Sequence, residues 1–179
     1  MEYAKIGVLT LNTFDKDNME ARNFIKKLCG DESVKSRFQG ITAGLLNNPK
    51  KEFFNHGFLV THDNIFIGYI GIGAYNEIEK NVYLRAAIDK EKRGNSYGKI
   101  LLSEITEYIF QNYPQVLNIC LKIANDNKAS LMTASTCGYQ WLKDDYYIKV
   151  NPYIEKVKTK WRHQSSFFIS IGLTCITVK

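Results

Sequence analysis

At 179 residues with 45% hydrophobic content, the chain can bury a sizeable core and suits one domain better than two. Its net charge of +6 is uneven, because residues 155–179 carry Lys156, Lys158, Lys160, Arg162 and Lys179 against Glu155 alone, which leaves the rest nearly balanced and argues against a nucleic-acid binder with a basic face. The four cysteines, Cys29, Cys120, Cys137 and Cys175, form no C-x-x-C pair, so they suggest neither a zinc site nor a thioredoxin-like motif and suit a reducing, cytoplasmic setting.

The start alternates polar and apolar residues and has neither the basic beginning nor the apolar run of a secretory signal. Residues 6–14 read as a strand. Asp15 and Asp17 then offer helix caps to an apolar series at Met19, Phe24, Ile25 and Leu28, and Gly30 stops that helix. Asp31 caps a second helix whose Val34, Phe38, Ile41 and Leu45 recur at helical steps until Asn47-Asn48-Pro49. Two β-rich runs, 57–61 and 65–74, are separated by the hairpin chemistry of His62-Asp63-Asn64, and a third run, 82–88, completes a meander. From about Lys99 a long helix carries Leu101, Leu102, Ile105, Tyr108 and Ile109 on one side and ends at Pro114. A strand follows through Leu117, Ile119, Leu121 and Ile123. Asn125 or Asn127 caps a further helix ending at Gly138, and residues 139–150 form two short strands turning at Asp144-Asp145. Beyond Pro152, a short basic amphipathic helix leads into an apolar stretch, 167–178. That stretch is too short for a bilayer, which takes roughly 20 residues, and reads as a buried strand pair or a contact in a homodimer. The expected division is one α/β domain over 1–151 with 152–179 appended.

The chemistry-bearing segment is the loop between the 82–88 strand and the long helix. Small residues Gly94, Ser96 and Gly98 let a phosphate approach the unpaired N–H groups and positive dipole at a helix start, and Arg93 and Lys99 add charge-assisted contacts. A Walker loop is excluded because Ile100 follows Gly98-Lys99, and a Rossmann fingerprint because only two glycines are present, far from the first strand. The histidines His56, His62 and His163 lack ligand spacing, so no metal is predicted, and no Gly-x-Ser-x-Gly elbow supports a serine hydrolase.

Residues Arg93-Gly94-Asn95-Ser96-Tyr97-Gly98 resemble the Arg/Gln-x-x-Gly-x-Gly/Ala signature of the GNAT acetyltransferases, with Ser96 in place of the middle glycine. Ser tolerates positive φ poorly, so the loop is not expected to rely on that dihedral. A second family signature is met by Asn127, Ser130, Gly138 and Tyr139. The resemblance covers about residues 1–150 and implies a mixed, mostly antiparallel sheet of six to seven strands, splayed between the fourth and fifth and flanked by about four helices. It implies acetyl-CoA as co-substrate, with Ala86, Ala87 and Ile88 offering main-chain partners to pantetheine and with Arg93, Gly94, Asn95, Ser96, Tyr97, Gly98, Lys99 and Asn127 around the phosphates. The acceptor is then a primary amine of unidentified nature. Glu77 and Glu79 are candidate bases, with Glu79 preferred. The position where many members place a Tyr acid is Ala134, so the acid role passes to Ser130, with Tyr147 and Tyr146 in reserve. The Asn-x-x-Ser form looks most like the branch that acetylates ribosomal-protein amino termini. Two other readings stay open: a CoA-binding module with little turnover, and an acetyltransferase acting on aminoacyl-tRNA, the basic tail being the nucleic-acid contact.

Overall fold

The computed structural model describes residues 2–35 and 53–154. The rest of the expected second helix, and the basic tail with its apolar end, lie outside the described residues. Within them an eight-stranded sheet runs β1-β2-β3-β4-β5-β6-β8-β7, antiparallel throughout except for the parallel pair β5–β6. Four helices accompany it among the described residues: α1 (Met19–Gly30), α2 (Glu32–Lys35), α3 (Tyr97–Asn112) and α4 (Lys128–Thr136).

The strand count exceeds the six to seven expected because the first strand is two. β1 (Glu2–Ile6) turns at Gly7 into β2 (Leu9–Asn12). Gly7 holds φ +57, a backbone conformation that favours glycine, and the mobile end of the Glu104 side chain lies over it. β3 (His56–His62) and β4 (Ile65–Ile72) join through Asp63 and Asn64 at φ 50 and 63, the paired left-handed residues of a tight hairpin. β5 (Asn81–Ile88) continues the meander, α3 crosses over, and β6 (Asn118–Lys122) returns parallel to β5. β7 (Gln140–Lys143) and β8 (Tyr146–Val150) close the far edge, with Asp144 at φ 48 in their turn.

Helix α1 is capped by Asn18, whose side chain accepts from the Ala21 N–H at 3.0 Å, and not by Asp15 or Asp17. Asp15 instead accepts from the Asp17 N–H at 2.9 Å, a local turn that delivers Asn18 to the cap. Strand alternation divides the core between two faces. One face packs Phe58, Val60, Ile70, Val82 and Leu84 against Leu101, Ile105 and Ile109 of α3. The other packs Leu59, Tyr69 and Ala87 against Phe24, Ile25 and Leu28 of α1. Burial this complete at Ile109 and Phe110 makes truncation there costly, about 3–5 kcal/mol for Phe110→Ala.

Candidate functional site

Parallel pairing of β5 with β6 runs from Asn81↔Asn118 to Leu84↔Leu121 and stops, while β5 goes on to Ile88. Over Ala86, Ala87 and Ile88 the strand stays paired to β4, opposite Ile70, Tyr69 and Gly68. Among the described residues its other edge is open. Counting the extra hairpin strand, this is the gap expected between the fourth and fifth strands. Alternate main-chain groups of an unpaired edge remain available to an extended, amide-bearing ligand.

The chain leaving Ile88 is fastened before it reaches α3. Asp89 is buried and pairs with Lys27 Nζ of α1 at 2.8 Å, and Lys27 also meets Glu91 at 2.7 Å. These two hydrogen-bonded carboxylates raise the Lys27 pKa. Lys90–Lys92 form a 3-10 turn. Arg93 then donates from Nε to the Ile88 carbonyl at 3.0 Å, from Nη1 to Ser33 Oγ at 3.1 Å, and from Nη2 to Asp31 at 2.6 Å. Hydrogen bonds from Ser33, then the Arg93 charge, hold the Asp31 carboxyl below its usual range. The Arg93 guanidinium is thus occupied within the protein: its observed work is to tie the loop to the junction of α1 and α2.

Gly94 follows at φ +83, and Asn95 folds its amide onto the carbonyls of Lys92 and Arg93. Ser96 is the N-cap of α3 and sits at φ 60, ψ 6, a left-handed conformation. This corrects the expectation that serine keeps the loop away from positive φ. The turn needs that dihedral to aim the helix, and a single residue there costs only about 1–2 kcal/mol. Ser96 makes no side-chain cap, in contrast to Asn18 on α1 and Asn127 on α4. Among the described residues, the N–H groups of Tyr97, Gly98 and Lys99 therefore have no acceptor, the Ile100 N–H being the first to bond back, to Ser96. At Gly98 an added Cβ would meet nothing closer than Ile88 Cγ1 at 3.8 Å, so the protein itself leaves that space clear. Tyr97 turns its hydroxyl to His62 Nδ1 at 3.5 Å, and the Lys99 side chain is exposed. Free amides, clear space and the dipole end of a 16-residue helix fit a diphosphate-bearing ligand.

Across the gap, Asn127 caps α4 by accepting from the Ser130 N–H at 3.3 Å. Thr133 and Thr136 turn their hydroxyls back to the carbonyls of Ala129 and Met132, whereas Ser130 Oγ has no hydrogen-bond partner among the described residues. Ala134, one turn on from Ser130, is fully buried, which explains how this helix does without a large side chain there. Gly138 and Tyr139, the other half of the second signature, are structural. Gly138 takes φ +80 past the helix end, and the Tyr139 hydroxyl bonds Thr106 Oγ1 of α3 at 2.7 Å in a buried pair. Burial pushes the Tyr139 pKa up. Tyr147 lies opposite Leu121 on the last paired residue of β6 that faces Leu84, packed on the α3 side, and its hydroxyl has no partner among the described residues.

Glu79 is not brought to the gap. Its carboxylate accepts from the Asn81 side chain at 2.7 Å, at the other end of β5, and four strand steps of roughly 3.3 Å each lead from Asn81 to Arg85. Burial, and then the Glu79 charge, push the Cys120 thiol up to about 11. Arg85, the first residue of the open edge, escaped sequence reading; its signal was a lone charge within the apolar run Val82-Tyr83-Leu84-Arg85-Ala86-Ala87-Ile88. Among the described residues no group of three potential ligands is arranged to hold a metal, and no helix is long and apolar enough to cross a membrane.

The sequence pattern of the acetyltransferase (GNAT) domain matches residues 6–140. A putative ribosomal-protein-serine acetyltransferase from Vibrio cholerae is similar in structure at 17% identity, with TM-score 0.64 over 84% of this chain and 97% of that one. A GNAT-family acetyltransferase from Bacillus anthracis superposes with TM-score 0.66 at 14% identity, over 84% and 99% of the two chains. A spermidine N-acetyltransferase from Vibrio cholerae, solved with CoA and spermine, gives 0.61 at 15% identity over 80% and 96%. At these identities the likeness is one of fold, and several divergent branches match equally well. No curated protein sequence matches the chain.

Proposed function

The chain belongs to the GNAT acetyltransferase family, and from that premise we propose that it transfers an acetyl group from acetyl-CoA to a primary amine by direct attack on the thioester. The observation that carries the reading is the coincidence, at one end of the sheet, of an open β5 edge and an uncapped α3. When bound, acetyl-CoA supplies an acyl group already activated as a thioester. The N–H groups of Tyr97, Gly98 and Lys99 hold the diphosphate, the edge of Ala86, Ala87 and Ile88 pairs with the amide-bearing arm, and Gly94 and Asn95 shape the turn between them. Arg93 positions this loop through Asp31 and Ser33.

An amine is nucleophilic only when neutral, and the thiolate that leaves must be protonated. Ser130 Oγ is assigned the donor role, with Tyr147 as its alternate. Both hydroxyls stand on elements flanking the gap and lack hydrogen-bond partners among the described residues. Asn127 orients the start of α4. Glu79 is left out, because paired strand separates it from the gap, and the amine proton is passed to solvent water. The Asn-x-x-Ser form supports an acceptor of the ribosomal-protein kind. The solved relatives, which include a spermidine acetyltransferase, leave that choice to experiment.

The test is a panel of amines with acetyl-CoA, read by thiol release, with Gly98→Glu as control. Amine-dependent thiol release in the wild type and its loss in Gly98→Glu are expected, since the carboxylate would stand against the phosphates. CoA affinity at the wild-type level in Gly98→Glu would remove the loop assignment, and CoA binding with no release on any amine would favour a binding module.

A further inference from the structure

Arg85 is the first residue of β5 beyond the β5–β6 ladder, so its side chain leaves the sheet where the gap begins. Alternation puts it on the face of Tyr83 and Ala87, the face packed by α1. A guanidinium carries five donors and stays charged. Arg93 spends its donors on the protein, but Arg85, which is exposed, makes no ion pair and no hydrogen bond among the described residues.

Directly opposite Arg85 on β4 is Gly71, and opposite Gly71 on β3 is Gly57. The Tyr69 phenol leans across both, since a Cβ on either glycine would stand 2.7 Å from it. Two residues back along β5, the Tyr83 ring meets Tyr146 of β8 edge-on with centroids 6.2 Å apart. The buried Tyr69 ring thus fills the room over the two glycines, and Arg85 shares this face with the phenols of Tyr69 and Tyr83. Among the described residues, Lys122 on this face is committed to Asp145 at 3.6 Å, and Glu79 to Asn81 at the far end of the strand. Among the described residues, Arg85 is an uncommitted cation where the gap begins.

We infer that Arg85 binds a carboxylate of the acceptor, so that the amine acetylated belongs to a molecule of the amino-acid or acidic-peptide class. This rests on the acetyl-transfer reading and adds to it the chemistry of the acceptor. The guanidinium fork matches a carboxylate bidentately, and the amine of the same molecule then reaches across the open edge. A polyamine would bring positive charge to a positive mouth.

The test compares acceptors that differ only in the carboxylate, alanine with alaninamide and β-alanine with β-alaninamide, and includes spermidine. Binding of N-acetylalanine and N-acetylalaninamide to the CoA-loaded protein is measured by calorimetry as a readout independent of turnover. The carboxylate member of each pair is expected to show a KM or Kd lower by about tenfold, the size of one charge-assisted pair. Arg85→Gln should abolish that preference, Arg85→Lys should keep part of it, and both should leave CoA affinity and thermal stability unchanged. Equal affinity for acid and amide, a preference for spermidine, or weaker CoA binding in Arg85→Gln would each overturn the inference. If the wild type binds CoA and acetylates amines without regard to the carboxylate, the inference fails alone; if it binds no CoA, the acetyl-transfer reading fails and takes the inference with it.

Discussion

Ser96 offers a direct measure of what the loop before α3 requires. It holds φ 60 and ψ 6, its side chain caps nothing, and no hydrogen bond from its hydroxyl is present among the described residues. A side-chain-bearing residue in that region costs about 1–2 kcal/mol, and glycine returns roughly 0.5–1 kcal/mol of that relief as extra freedom in the unfolded chain. Ser96→Gly should therefore stabilise the protein by about 0.5–1 kcal/mol, a rise in melting temperature of about 1–4 °C for a domain of this size. Ser96→Ala keeps the strained dihedral and loses a hydroxyl without a partner, so it should lie within about 0.5 kcal/mol of wild type. Ser96→Val, branched at Cβ, should melt lowest of the four. CoA affinity should follow the backbone and not the hydroxyl, leaving Ser96→Gly and Ser96→Ala near wild type. Differential scanning calorimetry with and without CoA measures both. A Ser96→Gly protein that melts below Ser96→Ala would refute the conformational argument, and a large loss of CoA affinity in Ser96→Ala would show that the hydroxyl, not the amides, is the contact.

Asp31→Asn removes the charge that Arg93 grips and should cost about 1 kcal/mol at pH 7 while weakening CoA several-fold, because the loop loses its tie to α1 and α2. Since the folded Asp31 carboxyl sits below its usual value, that stability is present above about pH 4 and lost as pH falls through the folded pKa. The gap in urea midpoint between wild type and variant should therefore close in acid. His56 is 5% exposed, and neither ring nitrogen has a hydrogen-bond partner among the described residues. Burial pushes its pKa down, so the unfolded chain takes up a proton first and stability drains as pH falls below about 6.5. His56→Phe, packed edge-on to Phe58 as the imidazole is, should show a smaller fall in melting temperature between pH 7.5 and 5.5. An unchanged fall would mean another group titrates.

Local chemistry made much of this fold readable in advance. His62-Asp63-Asn64 announced its hairpin because Asp and Asn accept the left-handed dihedrals the turn demands. Pro114 ended α3, and the helix start next to Gly98 followed from small residues after a strand. Gly7 escaped notice because Val8 continues the even-numbered apolar series from Ile6, which masks the shift to the odd-numbered series of Leu9 and Leu11. Asp15, Asp17 and Asn18 are comparable acceptors, and only the path of the chain selects Asn18. What the sequence left illegible at the site is non-local. Arg93 has the composition of a phosphate ligand, yet its partner lies 62 positions away. Glu79 neighbours β5 in sequence, but which end of β5 opens is decided by the register Leu84↔Leu121, which no residue near Glu79 encodes.

That register also explains why the strand edge and the helix end lie together. A parallel pair needs a crossover, and here α3 provides it, leaving from the carboxyl end of β5. β5 has eight residues and β6 five, with both ladders starting together at Asn81 and Asn118, so β6 must run out first at that same carboxyl end. The unpaired edge follows from that mismatch in strand length, the unpaired helix amides from a helix start that Ser96 does not cap, and the crossover brings the two together. Neither depends on the identity of the side chains lining the gap, which frees those positions for recognition of the acceptor. This is why the cradle can be read from a short loop motif, whereas acceptor choice has to be sought in residues such as Arg85 that the framework does not need.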